Sequence, residues 1–218
     1  TFSSRGLGDV YKRQVEASIS RLPYVRSYTP ADVSSSSVPA SSIVTYRFNP
    51  SKLNDSKVKF TWMDGGLRPS QPDQIKEDIG VGGILIYGEK GIISCNDYGT
   101  RAKLYIDGEV VETGNFDGIP SNSFNHYTSW VEAMVDGYGS DKHKNLNSGF
   151  DVAGPISEVV LLGNVAVRSG LLKRSPRSNV FIGRKRLDYD SKNMVITNFD
   201  QANQFLTREY RKGWELNI

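Results

Sequence analysis

Between Lys57 and Trp62 the chain alternates, with Val58, Phe60 and Trp62 set against Lys57, Lys59 and Thr61. A two-residue period places one set on each face of a pleated strand, and one apolar face is the mark of an antiparallel sheet. Asp64-Gly65-Gly66 then turns the chain, because glycine accepts positive φ without a steric cost. The same alternation predicts a strand from Val15 to about Tyr28, closed by Thr29-Pro30, and another over Ser42–Phe48. The latter forms a hairpin with Lys57–Trp62 across Asn49–Ser56. Ile84–Tyr87 and Ile92–Cys95, joined by Gly88–Gly91, predict a further hairpin. Lys103–Ile106 and Glu109–Glu112 predict another around Asp107-Gly108.

After Pro120 the period changes. Phe124, Tyr127, Trp130, Val131, Met134 and Val135 fall at helical spacing, with Ser121 or Ser123 as cap and Gly137 as stop. A second helix is expected from about Pro155 to Arg168. Ile156, Val159, Val160, Leu162, Val165 and Ala166 cover much of its circumference, so deep burial is expected. Short strands are expected near Val180–Ile182 and Met194–Thr197, followed by a short helix capped by Asp200 that runs through Phe205 and Leu206. Ser34–Ser37 reads as a flexible loop, and the segment from Leu67 to Asp78, with Pro69 and Pro72, as an ordered one. Strands grouped first and helices later give an α+β class: an open, mainly antiparallel β-sheet with helices on one face.

Composition narrows the chemistry. The 218 residues include one cysteine and two histidines, and the net charge is +3. An intramolecular disulfide is excluded, and a multi-histidine metal site is not expected. The balance of charge is that of an ordinary surface, so neither nucleic acid nor membrane is expected as a partner, and no unbroken apolar run approaches ~20 residues. Gly6-Leu7-Gly8-Asp9-Val10-Tyr11 opens like a dinucleotide fingerprint, but tyrosine stands where the third glycine belongs and no strand precedes it. Residues 1–14 resemble a translated cloning linker. They are set apart as a non-native leader, so the expected domain is 15–218, its natural N-terminus lost and its compartment open. No strand–glycine loop–helix unit suited to a nucleotide is found.

Four segments taken together carry a resemblance: Val58-Lys-Phe-Thr-Trp-Met-Asp-Gly-Gly-Leu-Arg-Pro69, Gly82-Gly-Ile-Leu-Ile-Tyr-Gly-Glu-Lys-Gly-Ile-Ile-Ser-Cys95, Ala153-Gly-Pro-Ile-Ser-Glu-Val-Val-Leu-Leu-Gly-Asn-Val-Ala166 and Asn203-Gln-Phe-Leu-Thr-Arg-Glu-Tyr-Arg-Lys-Gly-Trp214. In this order they resemble the C-terminal domain of the Gfo/Idh/MocA oxidoreductases, in a bacterial branch. The resemblance implies a substrate-binding and oligomerisation domain that closes over NAD or NADP held by an N-terminal Rossmann domain. It implies hydride exchange with a sugar or polyol and pairing through the open sheet face into a homo-oligomer. A related branch performs NAD-dependent glycoside hydrolysis. The family's glycine-rich motif and Glu-Lys-Pro segment are absent. No Asp-x-x-x-His pattern exists either, since the residue four before His126 is Asn122. No catalytic, cofactor or metal residue is therefore assigned, and the isolated chain is expected to be inactive.

The candidate substrate-binding residues are Trp62, Asp64, Asn125, His126 and Trp130. Aromatic faces stack on sugar rings, and carboxylates, amides and imidazoles hold hydroxyls. Four of them also have a plain structural reading: core packing for the tryptophans, a turn for Asp64, a local hydrogen bond for His126. A non-catalytic scaffold that binds carbohydrate or protein remains a separate alternative. The basic residues Lys173, Arg174, Arg177, Arg184, Lys185 and Arg186 read as a solvated connection, and Cys95 as a small apolar side chain.

Overall fold

The computed structural model describes residues 12–20, 38–51, 54–113, 125–146 and 149–215, with backbone alone at 12, 13, 112, 113 and 126. Ser34–Ser37, Ser121, Ser123 and the second half of the strand expected to reach Tyr28 lie outside them. The class is α+β, and every strand pair is antiparallel. The strands divide over two sheets, where the alternation suggested one. The chain likewise forms two compact units: Arg68–His143, and the segments on either side of it.

The larger unit is built on a five-stranded sheet. Its strands are β1 (Lys12–Ile19), β2 (Ser42–Phe48), β3 (Val58–Met63), β8 (Leu187–Asp190) and β9 (Val195–Ile196), in the order β3-β2-β1-β8-β9. The strand β1 begins at Lys12, so the last three residues set apart as leader pair within the sheet. Register decides which residues share a face. Val15 stands opposite Tyr46 and Leu187, and Tyr46 opposite Phe60. Directly paired residues point the same way, so these residues line one face. Gln14, Glu16, Thr45, Arg47, Thr61 and Asp188 line the other.

The apolar face packs on α3 (Phe150–Ser169), which joins Val159, Leu162, Val165 and Ala166 to Val15, Val44, Tyr46, Leu187 and Ile196 in one core. Gly163 makes the close approach possible, because a Cβ there would run into the Tyr46 hydroxyl. Burial pushes that hydroxyl up to about 12, with the adjacent Gly163 backbone pulling the other way. The helix starts five residues before the expected Pro155, at the Gly149 boundary. Pro155 therefore sits in the second turn and forgoes one backbone bond to the Asp151 carbonyl. Only one side of α3 is buried; Ile156, Val160 and Leu161 are exposed, because the sheet covers a single face of the helix. By length and composition alone α3 is long and apolar enough to cross a membrane.

A 3-10 helix, Asp200–Phe205, closes the core through Ala202. Its N-cap is Phe199, and Asp200 is its first residue instead of the expected cap. Asn203 ties it to β9: its side-chain oxygen accepts from the Ile196 N–H (2.7 Å) and its amide donates to the Ile196 carbonyl (3.1 Å). Val180–Ile182, expected as a strand, contributes only a bridge from Phe181 to Lys173.

The smaller unit is a four-stranded meander of β4 (Ile84–Tyr87), β5 (Ile92–Cys95), β6 (Lys103–Ile106) and β7 (Glu109–Thr113). Both expected hairpins are present, the second turning at Asp107 and Gly108, each with positive φ (50° and 81°), as a two-residue primed turn needs. The unit also holds α1 (His126–Asp136) and all but the last residue of the short α2 (Asp141–Lys144).

Candidate functional site

Trp62 lies on the edge strand β3, opposite Val44 and on the face that carries α3. The helix packs on β1 and β2, so the outer strand is left open. Trp62 is 55% exposed and Phe60 42%. Phe60 stacks on Tyr46 with centroids 5.6 Å apart, which fixes Phe60 to the core. The alternation correctly paired Phe60 with Trp62 on one face. It could not show that this face lacks cover at the edge.

The turn after Trp62 is braced. Asp64 accepts from the Ser42 N–H (2.7 Å) with one carboxylate oxygen and from the Ser42 hydroxyl (2.8 Å) with the other. Its own N–H donates to the Ser42 carbonyl at 3.1 Å. Gly65 is required beside it: φ is 65°, and a Cβ would collide with the Ala40 carbonyl. Asp64 is thus a latch between β2 and the turn, and it holds the Trp62 end of the strand rigid.

Asn125, His126 and Trp130 belong to the other unit. Asn125 is the N-cap of α1, its side-chain oxygen accepting from Tyr127 N and Thr128 N, both at 3.1 Å. His126 is the first helical residue, and its side chain lies outside the described atoms. Trp130 is 55% exposed, and Met134 and Val135 on the same helix are exposed too. Of the five candidates, Trp62 and Asp64 fall together on one strand end, and Asn125, His126 and Trp130 together at the start of one helix.

Two arrangements were not singled out by pattern. Within the smaller unit, Lys103 donates to both oxygens of Glu77 (2.7 and 2.8 Å), and the buried Tyr105 hydroxyl donates to the same carboxylate. The Lys103 hydrogen bond, with Tyr105 adding to it, holds the Glu77 carboxyl below the usual range. The same bond raises Lys103. Burial, followed by the Glu77 contact, raises Tyr105. A tyrosine kept neutral against an anchored carboxylate is a clamp, not an acid–base pair poised near neutrality. The signal available was Lys103 and Tyr105 at i and i+2 on one strand face. Cys95 is likewise unactivated, since burial raises its thiol. The second arrangement is a cavity of about 270 Å³ lined by Arg208, Tyr210, Arg211 and Trp214.

Among the described residues no group of three His, Cys, Asp or Glu side chains could hold a metal ion. All paired strands are antiparallel, and the side chain of Asn125 already occupies the N–H groups at the start of α1. No family model matches the chain, and no curated protein matches it.

Proposed function

We propose that this chain is the substrate-binding and oligomerisation domain of an NAD(P)-dependent sugar or polyol oxidoreductase, acting on a cofactor held by a separate Rossmann domain. The observation that carries the reading is the Trp62 turn. A half-exposed indole stands at a strand end, two residues from a Phe60 ring that stacks on Tyr46 and two residues before the Asp64–Ser42 latch. Such a ring offers a preorganised stacking surface for a sugar. The four segments resembling the Gfo/Idh/MocA C-terminal domain supply the reaction class. In that reading the chain contributes position: it presents a hydroxyl-bearing carbon, while hydride acceptor and proton acceptor come from elsewhere.

The test has two arms. Calorimetric titration of the chain with NAD or NADP should show no tight binding, and tight binding would overturn the division of labour. A panel of sugars and polyols should raise the unfolding temperature, and Trp62→Ala should weaken the best of them about tenfold, as the loss of an aromatic contact of ~1.4 kcal/mol implies. An unchanged affinity in Trp62→Ala would remove Trp62 from the site.

The reading includes self-association through the open face of the larger sheet. That face is polar, with an Arg47–Glu16 ion pair at 2.7 Å and a Gln14–Asp188 hydrogen bond at 2.8 Å. Interfaces outside obligate dimers are no more apolar than ordinary surface, so a polar face is compatible with pairing. A strict monomer by sedimentation at high concentration would remove this part.

A further inference from the structure

We infer that the cavity lined by Arg208, Tyr210, Arg211 and Trp214 is a binding site for a small ligand that carries one anionic group on a ring. The four residues follow the 3-10 helix, where a tight turn brings the Trp214 N–H to the Arg211 carbonyl (2.9 Å) around Gly213 (φ 83°). Glu215 braces the turn by accepting from Gly213 N at 2.7 Å. Arg208 lies over the Tyr210 ring, 5.1 Å from its centroid, so the aromatic face orients the guanidinium.

Among the described residues neither Arg208 nor Arg211 forms an ion pair. Two guanidinium groups, each with five donors in a rigid fork, therefore line one cavity with no acidic partner among the described residues. A phosphate or carboxylate is the complement of such a fork. Tyr210 and Trp214 supply apolar walls on which a sugar or base ring can lie. The space, about 270 Å³, is open to solvent and its four lining residues are exposed, so a single ring can reach it from the surface. Nothing in this site depends on the Trp62 turn or on a nicotinamide, so each can fail without the other.

Ligand-observed NMR titration of the whole chain with glucose 6-phosphate, AMP, glucose and inorganic phosphate tests the assignment. At least one of glucose 6-phosphate and AMP should bind, and which one does distinguishes a sugar ring from a base. Glucose and phosphate should each be at least ~10-fold weaker, because each lacks half of the complement. R208Q/R211Q should lose at least ~10-fold for the bound probe with an unchanged circular dichroism spectrum, and Trp214→Leu should weaken the ring-bearing probe without affecting phosphate. Failure of both ring-bearing anions to bind, phosphate binding as strongly as they do, or an R208Q/R211Q variant that binds as before would each overturn it.

Discussion

In the larger unit the buried cluster runs from Val15 to Ala202 and draws on four strands, α3 and the 3-10 helix, whereas in the smaller unit Ile75, Ile92 and Tyr105 make up the buried apolar cluster among the described residues. The larger sheet has a long helix to press against. The meander of β4–β7 instead leaves Ile84, Ile86, Tyr87, Val110 and Val111 exposed. Fully burying a Val, Leu or Ile side chain contributes ~1.5–3 kcal/mol, so the two units draw on very different amounts of apolar burial. Where that burial is scarce, polar contacts carry more of the load. The Glu77–Lys103–Tyr105 clamp sits on one member of the small cluster. Volume should therefore govern the larger unit, and charge the smaller.

The sharpest way to break that contrast is Leu187→Ala. Leu187 on β8 is fully buried, paired with Val15 of β1 in the core that α3 joins, and its truncation should cost ~2–5 kcal/mol. Hydrogen exchange should show protection falling in β1, β2, β8 and α3 while β4–β7 keep theirs. Equal loss in both units would mean that the two cores unfold as one. A smaller effect comes from adding volume. Gly163→Ala drives a methyl group into the Tyr46 hydroxyl and should cost ~1–3 kcal/mol by denaturant unfolding. Combining it with Tyr46→Phe should recover part of that cost, since the colliding oxygen is gone. No recovery would mean the strain lies in the helix backbone.

In the smaller unit the lever is pH. Glu77 is held below its ordinary value of 4.5, so its contribution is complete above that value and lost as pH falls through the depressed one. Lys103 and Tyr105 are raised above 10.5 and 10.0, so theirs is complete below those values and lost as pH rises through the elevated ones. Protection in β5–β6 should hold from about pH 5 to 9 and fall on both sides. Glu77→Gln should flatten the acid limb and leave the larger unit unchanged. An acid limb that survives Glu77→Gln would assign the dependence to other carboxylates.

Much of this was legible in the chain. The boundaries of β2 follow from alternation, and those of β4, β5 and β6 from short apolar runs bounded by Gly88–Gly91 and Asp107-Gly108, because a period of two and a turn signal are local properties. What escaped was relational. Periodicity says that Phe60 shares a face with Trp62, but cover depends on where α3 crosses the sheet. The start of α3 was missed because Pro155 is a strong first-turn signal, and nothing local shows that the helix tolerates one lost bond. Asp64 and Asn125 have the right atoms for a ligand, and only coordinates show that Ser42 and the first turn of α1 already take their oxygens.

Trp130 offers the smallest effect and the finest discrimination. At helical spacing with Tyr127, Val131 and Met134 it has the pattern of a core anchor, for which removal of the indole would cost ~3–5 kcal/mol. In the structure it is more than half exposed on α1, a helix held at its start by the Asn125 cap. Trp130→Ser should then change stability by no more than ~0.5 kcal/mol, the range of a surface substitution, while Asn125→Ala costs ~1 kcal/mol through the cap alone. That inversion, an amide outweighing an indole on the same helix, is measurable by denaturant unfolding of the two variants side by side. A loss of ~3 kcal/mol in Trp130→Ser would show the ring buried in solution, and the smaller unit would then hold more apolar cover than Ile75, Ile92 and Tyr105 provide.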